Sequence, residues 1–434
     1  MVRLTRLAPL LSVTLALACG GGAGDSRSST GISETGITDT FTDSNESSGA
    51  DMDQGDGDPG GLPKWDLGGI PDSFTNCADS GVDETKSYIW IANSSQSTVS
   101  KINTVTLVEE GRYSTRATPG NPSRTSVALS GNVAVANRSG GVAKFYFDAE
   151  NCPDTNGVPG IQTSTGANDV LPFGSDECLA WYADFAYSTQ RPVAWSYGEF
   201  NEGSCTYENE KVWTAGGLGN AEVLLLDGDT GVTEETVVIP NVIGWAGLYG
   251  GAVDGLGNFW TVDHNWNGPS TLIRVDGSNF TYDEWETEVE VHYGLTVDSN
   301  GRAWLCGSGG ASRFDPQTET WAHSPPINGG SALGGCMEDP DGILWNAAYP
   351  NAVLVGIDTT TVQVVQMINI PSYVHGVSID FQGNLWGVEF SGDEAFRINK
   401  NTLQIDTVGG LVGAYTYSDM TGYALSAAGG VPSG

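Results

Sequence analysis

Basic side chains are scarce: 18 Lys+Arg face 53 Asp+Glu in 434 residues, a formal net charge of −35. A surface that acidic repels phosphate, which excludes nucleic acid as a partner. Histidine is scarcer still, with four in the chain, and no C-x-x-C occurs. A zinc or thiol-redox centre of ordinary spacing therefore has no residues to build it. The opening apolar run, Leu7 to Ala18, is shorter than the roughly 20 residues a membrane-crossing helix needs. What is plentiful is Gly, 60 residues, about twice the usual share. Trp (13), Tyr (15) and a hydrophobic fraction of 39% supply a core and exclude wholesale disorder. Length alone predicts two or three domains, but this composition fits one large all-β domain.

Arg3 and Arg6 precede the apolar run, which reads as the core of a secretory signal, residues 1–18. It ends Ala16-Leu17-Ala18-Cys19 and resembles a bacterial lipobox, with Ala16 where that motif prefers Leu. The resemblance implies a lipidated Cys19 at the mature N-terminus and an outer-membrane or cell-surface location. Ala16-x-Ala18 also suits an ordinary signal peptidase, so secretion or a periplasmic location is the alternative. Residues 19–65 are mostly Gly, Ser, Thr and Asp and cannot offset their own ordering entropy. They form a tether reaching roughly 35–40 Å. Membrane contact is expected through the lipid anchor only.

Six cysteines remain, an even count that suggests disulfides in an exported chain. Cys152–Cys178 and Cys306–Cys336 are the expected pairs; free buried thiols are the alternative.

Four segments align without gaps: YGGAVDGLGNFWTVD (249–263), YGLTVDSNGRAWLCG (293–307), GGCMEDPDGILWNAA (334–348) and HGVSIDFQGNLWGVE (375–389). Each carries Asp-x-x-Gly with Trp six residues after the Asp. The Asps, 254, 298, 339 and 380, are spaced by 44, 41 and 41 residues. Asp accepts backbone N–H bonds in the turn, and Gly supplies the positive φ that closes a hairpin. Strand-like flanks and two further strands per unit predict β-propeller blades. The Trp is expected to pack between neighbouring blades.

Earlier units are more divergent, around 127–137 and 192–226. Tyr88–Asn93 and Val99–Ile102 begin a blade that lacks its inner strand. Tyr415–Asp419, running into a fifth Asp-x-x-Gly, is expected to supply it. The prediction is an all-β, seven-bladed propeller over 66–426, closed by its C-terminal strand and followed by a tail, 427–434. An insertion at about 148–180 is expected between blades two and three. Its Asp154 and Asn156, in Asp-x-Asn-Gly, make it a candidate calcium loop. A polar, disulfide-pinned loop explains the same residues.

Counting from the hairpin turns places His375 and Glu389 opposite each other at one mouth of the central channel, give or take a bulge. The same offsets put Tyr249 and Asp263 there, with Tyr293 opposite Gly307 and Gly334 opposite Ala348. His264 and His292 are neighbours of these positions, and Arg124, Asn137 and Asn93 are approximate equivalents in the early blades. A His–carboxylate pair can be a general base with its orienting acid, or two metal ligands. Glu389, His375 and Asp263 are candidate ligands for Mg²⁺ or Ca²⁺ in an acidic mouth. The alternative is a structural His satisfied by its neighbour.

HGVSIDFQGNLWGVE resembles the repeat of virginiamycin B (streptogramin) lyases. That resemblance implies a seven-bladed propeller that opens a cyclic depsipeptide by Mg²⁺-dependent elimination. It assigns catalytic roles to His375 and Glu389. The family's second His would fall at Gly334, and His323 lies eleven residues away. Two functions follow. One is an exported, lipid-anchored binding module, expected to be monomeric, whose acidic mouth takes a cation-bearing small molecule, a glycan or a protein. The other is a metal-dependent lyase.

Overall fold

The computed structural model describes residues 87–117, 119–265, 268–290, 292–307, 309–327 and 334–429. The expected signal segment, Cys19 and the linker lie outside them.

Each repeat Asp organises a hairpin with both carboxylate oxygens. Asp254 Oδ1 accepts from the backbone N–H groups of Leu256 and Asn258, at 2.9 and 3.1 Å. Its Oδ2 accepts from the Trp260 indole at 2.9 Å. The same arrangement recurs at Asp298 with Trp304, Asp339 with Trp345 and Asp380 with Trp386, at 2.8, 2.7 and 2.9 Å. Gly257, Gly301, Gly342 and Gly383 all hold φ between 74° and 80°, open to glycine at little cost. The Trp six residues after the Asp is thus more than interblade packing, because its N–H satisfies the turn's carboxylate. All four indoles are fully buried and reach the next blade; Trp386, for example, packs with Ile89 and Ile91 of blade one.

Seven blades result, each an antiparallel meander; in blades two to seven the first strand is innermost. Blades two to seven occupy residues 122–183, 193–242, 248–290, 292–323, 336–369 and 374–409. Blade one consists of Tyr88–Asn93, Thr98–Asn103 and Glu109–Ser114, and the C-terminal segment completes it. Asn93 bridges Ala414, Tyr415 N–H donates to Ala92 O, and Trp90 N–H donates to Met420 O. The expected closure is present, in a less regular form than a strand. The segment is also tied to blade seven through Ser391, whose N–H donates to Ala414 O, and to blade two through Val127, whose N–H donates to Asp419 O.

The fifth Asp-x-x-Gly does a different job. Asp419 accepts from the N–H groups of Gly422 and Leu425 and starts the helix Tyr423–Ala428. That helix lies against the hairpin end of the channel. Tyr423 meets Phe381 in the turn of blade seven, and Tyr197 donates to Leu425 O. Leu425 and Ala424 also border a small cavity inside the channel, beside Trp195 and Met337.

The insertion sits elsewhere than expected. Residues 148–178 join the third and fourth strands of blade two, Val142–Phe145 and Leu179–Ala183. The outermost strand was hidden in the sequence because 33 residues, 146–178, separate Leu179–Ala183 from the third strand. Both expected disulfides are present, with Cα separations of 4.8 Å (Cys152–Cys178) and 6.4 Å (Cys306–Cys336). The second joins blade five to blade six. Disulfides place the protein outside a reducing cytoplasm. No helix among the described residues is long and apolar enough to cross a membrane.

Candidate functional site

The end of the channel opposite the hairpins is shaped by one repeated irregularity. The innermost strands of blades two, five and seven bulge at Ser123, Tyr293 and His375, and that of blade four bulges after Tyr249. Glu389 therefore pairs with Val374, Gly307 with His292, and Asp263 with Leu248. The counting offset is wrong by one residue each time, and one residue reverses a side chain's face.

The consequence is a division of labour. Residues ending the second strands hold loops. Asp263 accepts from the N–H groups of Ile243 and Gly244, at 3.0 and 2.7 Å, and burial pushes its acidity down. Glu389 accepts from the Ser372 hydroxyl and from the N–H groups of Asp393 and Glu394. Asn137 ties down Thr115, and Asn93 pins the closing segment by accepting from Val412 N–H.

Residues of the inner strands instead meet one another across the channel. His375 of blade seven packs on Tyr293 of blade five, with ring centres 4.7 Å apart. Tyr249 of blade four packs on His264 (4.4 Å), Tyr293 (5.1 Å) and Tyr417 of the closing segment (5.8 Å). The Tyr415 hydroxyl meets those of Tyr249 and Tyr293. Contacts between such distant blades occur only through the middle of a ring.

Cations, not carboxylates, complete this wall. The Arg124 guanidinium lies over the rings of Tyr417 and Tyr249, Arg138 over Tyr415, and Arg191 near Tyr249 and Trp245. The acidic mouth expected from the net charge is replaced here by three guanidiniums. Burial raises the Tyr249 phenol, and Arg124 and Arg191 more than reverse that. Burial, then Arg124 and Arg138, pushes His375 down to about 3, so its imidazole is neutral at ordinary pH. Its Nδ1 meets the Tyr373 hydroxyl at 2.8 Å, and its Nε2 has no partner among the described residues.

The remaining candidates separate. His292 opens the first strand of blade five, and its side chain lies outside the described residues. His323 is on an outer strand, 2.9 Å from Glu288. At Gly334 a Cβ would lie 2.9 Å from both the Ala347 side chain and the His375 carbonyl, so no larger residue fits there.

Among the described residues no divalent-cation donor set comes together. Glu389 and His375 share no hydrogen bond, and two guanidiniums face the imidazole. In the insertion, Asp154 is exposed, and the Asn156 side chain bonds Gln162 and Val158. Glu177 accepts from the N–H groups of Thr155, Asn156 and Gln162, and Asp176 from those of Ser164 and Cys178. These carboxylates fold the loop. Among the described residues no three His, Cys, Asp or Glu side chains group as a metal site. As arranged, these described residues do not fit Mg²⁺ or Ca²⁺, and no chemical step is derived through either.

Arg138, Arg191, Tyr415 and Tyr417 escaped the sequence reading. Two signals pointed to them. Arg138 directly follows Asn137, and Tyr415-x-Tyr417 has the period of two that puts both rings on one face.

No family model and no curated protein matches the chain. Among solved structures, virginiamycin B lyase from Staphylococcus aureus is similar at 16% identity and TM-score 0.47, over 66% of this chain and 83% of that one. A functionally unknown protein from Desulfotomaculum acetoxidans reaches TM-score 0.51 at 11% identity, over 76% and 99%. Hydrazine synthase from Kuenenia stuttgartiensis reaches 0.50 at 10%, over 75% and 93%. At these identities the likeness is one of fold.

Proposed function

We propose that this protein is an exported propeller that binds a ligand at the mouth of its channel, tethered to a bacterial membrane through Cys19 and the linker. The observation that carries this reading is convergence. Side chains from blades one, two, four, five and seven meet at one point, several with unpartnered polar atoms. A helix lies across the other end of the channel. Exposed aromatic side chains edge the mouth: Trp245 is 57% exposed and stands by His264, and Phe390 is 49% exposed and stands by His375. Polar groups converging beside exposed aromatic side chains are what a small-ligand site uses.

A thermal-shift screen of small molecules, glycans among them, tests this. Hits should lose their effect in Trp245→Ala and Phe390→Ala protein. Hits indifferent to both substitutions would reject the mouth as the site. For the anchor, Cys19→Ala should release the protein from membranes, and an unacylated mature N-terminus by intact mass would reject it.

The lyase reading retains one supporting observation, the neutral His375 with a free Nε2 beside Gly376 at the start of an inner strand. Against it stand Gly334 at the second His position and the loop-bound Glu389. Ring opening of a streptogramin B by wild type but not by His375→Ala would favour it.

A further inference from the structure

Three of the 18 basic side chains of this acidic chain meet at one place. Arg124 lies on the inner strand of blade two, Arg138 just past its second strand, and Arg191 just before blade three. Elsewhere Arg112, Arg274, Arg302 and Arg397 each meet a carboxylate. Among the described residues these three form no ion pair. Arg124 is fully buried, and its Nε and Nη2 have no acceptor. The same holds for Nε and Nη2 of Arg138 and for Nε of Arg191.

Burying guanidinium without a counter-charge is unfavourable. Tyrosine faces offset part of that, but a ring face cannot use the directed N–H groups as an oxyanion does. The arrangement lacks one component, a compact anion. The rest of the molecule constrains its charge. A net charge of −35 repels each additional negative charge on an incoming ligand, so a monoanion is least opposed. Planar guanidinium forks match a carboxylate. Phe390 packs on Tyr415, which Arg138 covers, and Trp245 lies under Arg191; both rings are about half exposed and offer apolar surface to a ring.

Resting on the mouth as a ligand site, the geometry points to a ring-borne carboxylate as the ligand, a uronic acid or an aromatic acid. Its carboxylate meets Arg124, Arg138 and Arg191, and its ring lies against Phe390 and Trp245.

Calorimetric titration of the full chain tests this with glucuronate and benzoate. Glucose and benzamide serve as neutral counterparts, and sulfate as a bare anion. At least one acid should bind about tenfold or more tightly than its neutral counterpart, and which acid does so separates the sugar from the aromatic source. Arg138→Gln and Arg191→Gln should each weaken that acid by about tenfold or more, with Arg138→Lys restoring part of the loss. Both residues are less deeply placed than Arg124, so their variants should fold, which circular dichroism checks. Acids binding no better than their neutral counterparts, or binding unchanged in both Gln variants, would overturn the proposal. Sulfate binding as tightly as the acids would overturn the ring requirement. Neutral rings binding equally well, and lost in Trp245→Ala, would reject the anion while leaving the mouth a ligand site. If none of the five probes binds, the ring-borne carboxylate is rejected, and the wider screen then decides the site itself.

Discussion

The hairpin end and the mouth of this propeller are built on opposite terms. At the hairpin end one device recurs four times, an Asp that holds a turn with one oxygen and an indole with the other. Every polar group named there is satisfied. At the mouth the inner-strand bulge recurs but the side chains do not: Arg124 comes from blade two, Tyr249 from blade four, Tyr293 from blade five, His375 from blade seven and Tyr417 from the closing segment. Polar atoms of Arg124, Arg138 and His375 there have no partner among the described residues. A scaffold can be repeated because each blade solves the same packing problem. A site for an asymmetric ligand cannot, because each blade must present a different group. The divergent blades show the boundary. Trp90, Trp195 and Trp213 are buried like the repeat indoles, but their N–H groups have no acceptor among the described residues.

The largest break in the comparison comes from removing what both ends share. Truncation after Leu411 deletes the segment that closes blade one, carries Tyr415 and Tyr417, and leads into the helix. Open strand edges would then flank the gap. Loss of a cooperative melting transition is expected; an unchanged transition would contradict the closure.

Asp254→Ala strikes only the hairpin end. It leaves the N–H groups of Leu256, Asn258 and Trp260 unpaired. A loss of about 3 kcal/mol in urea unfolding is expected. A loss below about 1 kcal/mol would mean the clamp is decorative.

Stability against pH sharpens the comparison, because Glu210 at one end and His375 at the other respond in opposite directions. At the hairpin end, burial lifts Glu210 to about 7, against the hydrogen bonds from Ser130 and the attraction of Lys144. The folded state holds that proton more tightly than the unfolded state, whose value is near 4.5. Its contribution therefore falls as pH rises from about 4.5 to about 7, and Glu210→Gln should flatten that limb. At the mouth His375 is lowered from 6.5 to about 3. The unfolded chain takes up its proton first, so stability is lost as pH falls from about 6.5 toward 3. His375→Gln should flatten this acid limb and leave the other in place. Unfolding free energies across pH 3–8 read both slopes, and a substitution that moves the opposite limb would contradict the assignment.

The same contrast explains what was legible in the sequence. The blades were readable because Asp254, Asp298, Asp339 and Asp380 repeat with their Trp partners. The closing segment was readable because Tyr88–Asn93 had no inner neighbour. The fourth strand of blade two was not, since the insertion separates it from the third and it carries no motif. At the mouth, the inner-strand positions Tyr249, Tyr293, His375 and Arg124 were found by counting. Which neighbours they would meet was not readable, because bulges at Ser123, Tyr293 and His375 shift the pairing and carry no sequence mark. A net charge likewise says nothing about where 18 bases gather.

The separation of scaffold from site is tested most directly by measuring, in two variants, the Tm and the Tm gained on adding the acid that wild type binds. Asp254→Ala protein should melt lower yet gain as much from the ligand as wild type does. The Arg138→Gln/Arg191→Gln protein should melt no lower than wild type, since one buried and one half-buried charge without a counter-charge are removed, and should gain nothing from the ligand. A double variant that still responds fully to the ligand, or an Asp254→Ala protein that has lost its response, would contradict the account.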